Sequence, residues 1–177
     1  MLKNYLKFKE TPIKKSWGQN FITDKNIINK IICLINPTKN DTIIEIGPGH
    51  GALTLPLAEK SKVVHAIEID SFLINLLNKS KPCNIKLYNE NILDWQYEKS
   101  ENDTNIFIVG NLPYYITSPT IFKFLTENYW NKMIIMVQKE VGQRIISKTS
   151  TKNYSRISVM CQCFCNVKHE FNISKNV

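Results

Sequence analysis

Little of this 177-residue chain is glycine, only six residues, and three of the six fall within positions 47–51. No stretch reads G-x-x-x-x-G-K-S/T and no Lys or Arg follows the clustered glycines, which excludes the common phosphate-cradling loop. The five cysteines, Cys33, Cys83, Cys161, Cys163 and Cys165, form no C-x-x-C pair. Cys161, Cys163 and Cys165 alternate with Gln162 and Phe164, a spacing unsuited to a zinc knuckle, and no metal is expected. No apolar run approaches the roughly 20 residues of a membrane span. Lys3, Lys7, Lys9, Lys14 and Lys15 break up the N-terminus, so neither a signal segment nor a membrane anchor is read there. An odd number of cysteines in such a chain points to reduced thiols and a cytoplasmic location. Internal repeats and low-complexity tracts are absent as well.

What is present is ordinary globular material with an excess of positive charge. Hydrophobic residues make up 43% of the chain, enough for one sizeable core. A formal charge of +8 and a pI near 9.2 suit a polyanionic partner. The abundance of Lys beside Asn and Ile fits compositional bias too. Residues 1–22 read as a basic arm and 23–177 as a single domain. Asp24 can cap a helix whose apolar stripe is Ile27, Ile28, Ile31, Ile32 and Ile35, ending before Pro37. Strands are expected at 41–46, 62–67, 84–88, 105–109 and 132–137. Helices are expected at 52–60, 71–79, 117–128, 138–148 and 154–165, and residues 97–104 as a polar surface loop. This alternation predicts an α/β fold with a mostly parallel, doubly wound sheet.

The clustered glycines sit in Ile43-Ile44-Glu45-Ile46-Gly47-Pro48-Gly49-His50-Gly51, an apolar strand running into a tight turn before a helix. Gly47 and Gly49 let the backbone approach a ligand closely, and the helix start offers free N–H groups. The spacing is G-x-G-x-G, not the dinucleotide G-x-G-x-x-G, which disfavours an NAD-linked oxidoreductase. About twenty residues on, the second strand ends at Glu68-Ile69-Asp70. An acid at that position suits the two hydroxyls of a ribose, and Glu68 is assigned to it. Asp70 is assigned to the cap of the next helix. Glu45 can reach the amino end of a ligand or orient the loop. A sulfonium cofactor with one nucleoside and no phosphates fits this set better than a nucleotide.

A second motif, Asn111-Leu112-Pro113-Tyr114, follows the apolar run 105–109 and Gly110. On its own it describes a turn, because Asn and Pro are common turn residues. At the C-terminal end of a strand beside the glycine loop, it lies where open α/β sheets bind ligands. A nucleobase amine is a poor nucleophile because its lone pair is delocalised into the ring. The Asn111 amide oxygen and the Leu112 carbonyl can accept its two N–H groups, and the Tyr114 ring can stack on an extruded base.

Five blocks together resemble the small-subunit ribosomal RNA adenine dimethyltransferases, the kasugamycin-sensitivity methyltransferase family. They are Gly18-Gln19-Asn20-Phe21; Glu45 to Gly51; Glu68-Ile69-Asp70; Gly110 to Tyr114; and Gln138-Lys139-Glu140-Val141 with Tyr154-Ser155-Arg156-Ile157-Ser158-Val159. The resemblance implies a Rossmann-like methyltransferase that uses S-adenosyl-L-methionine and acts on the N6 amine of adenosines. Asn20 and Ile22 would close over the cofactor, Gly47 would line its methionine end, and Glu68 would hold the ribose. Asn111 and Tyr114 would hold the target adenine. Lys14, Lys15, Lys139 and Arg156 are candidate contacts to RNA, although a solvated charged surface explains them equally well. The implied partner is small-subunit rRNA in an immature small ribosomal subunit, bound by a monomer.

This chain departs from the family pattern in three places. Asn91 stands where the family usually has an Asp that accepts from the cofactor's adenine amine; Asp94 is a poorer substitute. Tyr115 stands where Asn is common. The sequence stops at Asn176-Val177, before the family's Phe-x-Pro-x-Pro segment and helical C-terminal domain. That Phe would form the second face of a base sandwich, and a strand near 167–173 would lack its usual neighbour. The competing readings are the antibiotic-resistance branch that modifies large-subunit rRNA, a relative of the mitochondrial transcription factors, and a non-catalytic ribosome-assembly factor. The wording at Leu112 and at 138–141 favours the small-subunit branch. Asn111 and Tyr114 favour a catalyst.

Overall fold

A computed structural model describes residues 22–79 and 81–174. The first helix, α1 (Lys25–Ile35), starts where the Asp24 carboxylate accepts from the N–H groups of Asn26 and Ile27, at 2.7 and 3.2 Å. It stops at Asn36, which takes a left-handed conformation ahead of Pro37. Its stripe buries Ile31, Ile32 and Ile35, as the spacing predicts. Then come β1 (Asp41–Ile46), α2 (Thr54–Lys60), β2 (Val63–Ile67), α3 (Ser71–Asn78), β3 (Ile85–Tyr88) and β4 (Asn105–Asn111). The chain continues through α4 (Thr117–Leu125), β5 (Lys132–Met136), α5 (Lys139–Ile145) and α6 (Arg156–Phe164).

The five strands form one sheet of order β3-β2-β1-β4-β5, and every pairing is parallel. β1 lies at the centre and all six of its residues are buried, as expected for a strand covered on both faces. Ile44, Ile46, Ile106 and Ile108 point to one face, where Phe124 and Leu125 of α4 close over them. Ile43, Val64, Ala66 and Val109 point to the other, against α1 and Leu57 and Ala58 of α2. This is the doubly wound, Rossmann-like α/β architecture. The strand order reverses between β1 and β4, and the crevice at their C-terminal ends is the position such sheets use for ligands. Gly110 lets the two strands approach there, since a Cβ on it would lie 2.9 Å from Ile46 O.

Three expectations need correction. β4 does not stop at 109 but carries its ladder through Gly110 and Asn111, because β5 pairs with both. The stretch 97–104 is a mostly exposed polar loop, as expected, but it is anchored. Its Asp103 is buried and accepts from Tyr97 OH (2.7 Å), Ser100 N (2.9 Å), Thr42 Oγ1 (3.1 Å) and Lys62 Nζ (3.4 Å). Against the opposing effect of burial, the Tyr97 hydroxyl and Ser100 N–H hold the Asp103 carboxyl down at about 2. Residues 167–173 form no strand; an isolated strand has no ladder to stabilise it. Phe171 packs instead on the core beneath α1, with Lys30 Nζ 5.7 Å from its ring centroid. The last helices are also shorter than the periodicity suggests. Thr126, for example, turns its hydroxyl back onto Lys123 O at 2.7 Å and ends α4.

No helix joins β3 to β4. Ile92 and Trp95 of the connection are buried against the sheet, and Lys123 Nζ donates to Leu93 O at 3.2 Å and to Trp95 O. His65 on β2 sits in the resulting aromatic enclosure. Its Nδ1 is 2.9 Å from Tyr88 OH, its ring stacks on Tyr88 at 5.7 Å, and it meets Tyr97 edge-on at 5.2 Å. Burial pushes the imidazole down to about 4, helped by the Lys86 charge. The folded state therefore holds His65 neutral while the unfolded chain protonates it near pH 6.5. This contribution is complete above pH 6.5 and is lost as pH falls towards 4. The melting temperature of the parent should fall more steeply over that interval than that of His65→Gln, as read by circular dichroism.

Candidate active site

The crevice is built by a chain that must turn sharply off the end of β1. Gly47 takes φ 68° and donates to Ile67 O at 2.9 Å, which ties the turn to the end of β2. A Cβ at Gly47 would meet nothing within 4 Å, so this backbone faces open space. Gly51, at φ 84°, closes the turn onto Pro48 O at 2.8 Å. A Cβ there would lie 2.7 Å from Leu77 Cδ2 of α3.

Glu68, just past β2, holds this turn from the side. Its Oε2 accepts from Gly49 N at 3.4 Å and its Oε1 from Asp70 N at 3.0 Å, and only 8% of the residue is exposed. Burial pushes its carboxyl above the ordinary glutamate value, against the pull of the two N–H groups. Asp70 caps α3, accepting from Phe72 N at 3.0 Å, the role the sequence assigns it. A residue missed at the sequence level, Asn89, fixes this corner: its Nδ2 donates to Glu68 O and Ile69 O at 3.0 and 3.1 Å. Its only signal was a polar residue directly after a strand.

Glu45 lies deeper, on the β1 face shared by Ile43, and is 2% exposed. Burial pushes its carboxyl up to about 8, the Thr54 hydroxyl draws it down in part, and the Glu68 charge pushes it up further. Thr54, the first residue of α2, carried no signal in the sequence. Glu45 Oε2 and the Thr54 hydroxyl are both buried without a hydrogen bond of ordinary geometry, although the two groups are close enough to influence one another.

Asn111 is the last residue of β4 and pairs with Met136. Strand alternation places it on the face of Val109, the residue level with Glu45. Leu112 is buried and donates its N–H to Met136 O at 3.0 Å. Pro113 O accepts from Thr117 Oγ1 at 2.9 Å and Ile116 N at 3.2 Å, so the tetrapeptide is a turn feeding α4 as well as the lip of the crevice. Tyr114 stands 52% exposed.

The remaining candidates are more dispersed. Asn91 Oδ1 accepts from Leu93 N at 3.1 Å, which engages its amide oxygen in its own turn. Ile22 packs at the edge of the core beneath α1. Lys139 opens α5 and is exposed. Arg156 opens α6, and its guanidinium lies 5.2 Å from the Phe122 ring centroid. Asn20, Lys14 and Lys15 lie outside the described residues.

A sequence model for ribosomal RNA adenine dimethylases matches residues 11–177. The chain belongs to the ribosomal RNA adenine dimethylase family. It is 44% identical over 166 residues to the ribosomal RNA small subunit methyltransferase A of Mycoplasmopsis synoviae, covering 92% of this chain and 63% of that protein. The chain thus spans less than two thirds of the length of this relative. Among solved structures, a dimethyladenosine transferase from Plasmodium falciparum superposes with a TM-score of 0.75 and 30% identity, over 83% of this chain and 54% of that one. A 23S rRNA methyltransferase, ErmE, superposes with a TM-score of 0.60 and 27% identity, over 71% and 50%. Among the described residues of this family member, no group of His, Cys, Asp and Glu is arranged to hold a metal, and no helix is long and apolar enough to cross a membrane.

The Gly47 turn can be tested by itself. A side chain held in the left-handed region costs about 1–2 kcal/mol. Gly47→Ala should lower unfolding stability in urea by that amount, since its Cβ meets no steric clash to add to it.

Proposed function

We propose that this protein binds S-adenosyl-L-methionine at the C-terminal ends of β1, β2 and β4 and methylates the N6 amine of adenosines in small-subunit rRNA. The observation that carries the reading is the shared location of two independent motifs. The register Ile46↔Gly110 sets the Glu68-braced glycine turn level with Asn111, which follows Gly110 in the same strand. The small-subunit assignment rests on the identity to a small subunit methyltransferase A, with ErmE the more distant likeness.

The residues fit the cofactor. The open space in front of Gly47 admits a ligand that any side chain there would obstruct. Glu68 presents a nearly buried carboxylate, suited to accept from ribose hydroxyls in place of the Gly49 N–H at 3.4 Å. Ile22 and Asn20 would close over the nucleoside, and Asn91 would face the adenine through whichever amide group its own turn leaves available. When bound, the cofactor supplies an electrophilic methyl group on a positively charged sulfur.

The protein's part is positioning and electrostatics. Asn111 Oδ1 and the Leu112 carbonyl would accept the two N–H groups of the target amine, turning its lone pair towards the methyl group. The rigid Pro113 turn, tied to Thr117, keeps those acceptors in place. Exposed Tyr114 would stack on the extruded base. The amine becomes cationic as the bond forms, so its proton then passes to solvent and needs no dedicated base. Lys14, Lys15, Lys139 and Arg156 would contact phosphates, in keeping with the +8 charge. A monomer acting in the cytoplasm on an immature small subunit completes the reading.

Two variants test it, each in a version extended to the length of the relatives. Glu68→Ala should weaken S-adenosyl-L-methionine binding by about 1.5–3 kcal/mol in calorimetry, as expected for loss of bonds to a charged acceptor. Equal affinity would remove Glu68 from the site. Asn111→Ala should lower methyl transfer to immature small subunits about 10²–10³-fold, the effect of losing one preorganised hydrogen-bonding group. RNA affinity should hold, because it depends on phosphate contacts. An extended parent that binds subunits without ever methylating adenine would make the protein an assembly factor.

A further inference from the structure

Glu45 is the most deeply buried ionisable group beside the crevice, and its surroundings are unusual. It sits two residues before Gly47, on the sheet face shared by Val109 and Asn111. Its Oε2 has no hydrogen-bond partner. Among the described residues, the groups that face it supply no positive charge. α2 contributes the Thr54 hydroxyl, and the end of β2 contributes the Glu68 carboxyl, itself beside Asp70. On the glycine turn above, burial pushes the His50 imidazole below its ordinary value. Among the described residues no ion pair reaches Glu45 or Glu68. Two buried carboxyl groups within electrostatic reach, with no counter-ion among the described residues, cannot both be charged cheaply.

On the cofactor reading above, we infer that Glu45 carries a proton in the cofactor-free protein and releases it when the cationic methyl donor enters the crevice. The ligand brings the positive charge that the described residues around Glu45 do not supply, and ionised Glu45 then becomes its buried counter-charge. The O–H bond of the carboxylic acid breaks, the electron pair stays on the carboxylate, and the proton goes to solvent. Binding is thereby linked to pH. Below about pH 8, where burial places the empty-site group, each unit of pH rise should tighten binding by up to about tenfold, and the dependence should flatten above. Glu45 is thus a positioning residue for charge, distinct from the groups that hold the ribose and the target amine.

The experiment is calorimetric titration with S-adenosyl-L-methionine at pH 7 in buffers of different ionisation enthalpy, comparing the parent with Glu45→Gln. The ligand's own α-amine titrates at about pH 7.7–8 and is mostly protonated at pH 7, so the proton it takes up on binding is a small fraction beside the one Glu45 releases. The parent should release up to one proton more than the variant, and only the parent should gain affinity from pH 6 to 8 beyond the ligand's own contribution. Equal proton release by both proteins overturns the inference while leaving the cofactor site intact. Absence of binding to the parent at every pH overturns the cofactor reading and this inference with it. A second measurement needs no ligand. The folded state favours protonated Glu45 while the unfolded chain ionises it near pH 4.5, so stability declines as pH rises from 4.5 to 8. The melting temperature of the parent should therefore fall over that interval relative to Glu45→Gln; parallel curves overturn the inference.

Discussion

β1 is held on both sides by parallel partners, and its two registers decide where every candidate group lies. Against β2, the pair Ile46↔Ile67 ends both strands together and puts Glu68 beside the glycine turn. Against β4, the pair Ile46↔Gly110 carries Asn111 to the level of Gly47. Side chains alternate across a sheet, so a slip of one residue would exchange the side chains that face the two cores. Such a slip would bring Ile44 and Ile106 out of one core and Glu45 into it. The hydrophobic cost of that exchange makes the register rigid, and the site inherits the rigidity. The one close contact the register demands, Ile46 O against position 110, leaves room only for glycine.

Within that frame the described residues of the site gather negative charge and little to compensate it. Glu68 is satisfied by two backbone N–H groups, which stabilise its ionised form. Glu45 has only the nearby Thr54 hydroxyl, and its Oε2 has no hydrogen-bond partner. A protein that used these carboxyls only to brace its own loop would lose little by replacing Glu45 with a neutral residue of the same shape, because unpaired buried charge is destabilising. Such an acid is useful when the missing counter-charge arrives with a ligand. Phosphate-bearing cofactors would meet repulsion at the same place, which agrees with the lack of a basic residue after the glycines.

Much of this was legible in the sequence because the strongest signals are local. The Asp24 and Asp70 caps, the isoleucine stripe of α1 and the run 41–46 each depend on neighbours in the chain, and each appears where the pattern places it. What escaped depends on distant partners. β4 runs on to Asn111 because β5 is there to pair with it, and no local pattern announces that. Residues 97–104 look polar, yet Asp103 is drawn inside by Thr42 and Lys62, some sixty and forty positions away. Asn89 and Thr54 belong to the corner around Glu68 and Glu45 only after β1, β2 and β3 are side by side. In the candidate site, the placing of Glu68, Gly47 and Asn111 around one crevice was readable from motif and spacing. The burial of Glu45 beside Thr54 and Glu68 was not, since it depends on packing that composition does not reveal.

The tetrapeptide at 111–114 shows why its two readings need not compete. As a turn it uses Pro113 O to accept from Thr117 and Ile116, and so starts α4. Leu112 is locked by its backbone bond to Met136 and by burial of its side chain. These are structural duties, and they leave Asn111 on the last rung of β4 and Tyr114 half exposed at the lip of the crevice. Catalysis by preorganisation needs acceptors whose position costs nothing to establish when substrate arrives. A strand end fixed by ladder bonds and followed by a proline turn meets that need better than a free loop. The same bonds that made the motif look like an ordinary turn are therefore what would make it effective as a site for an exocyclic amine.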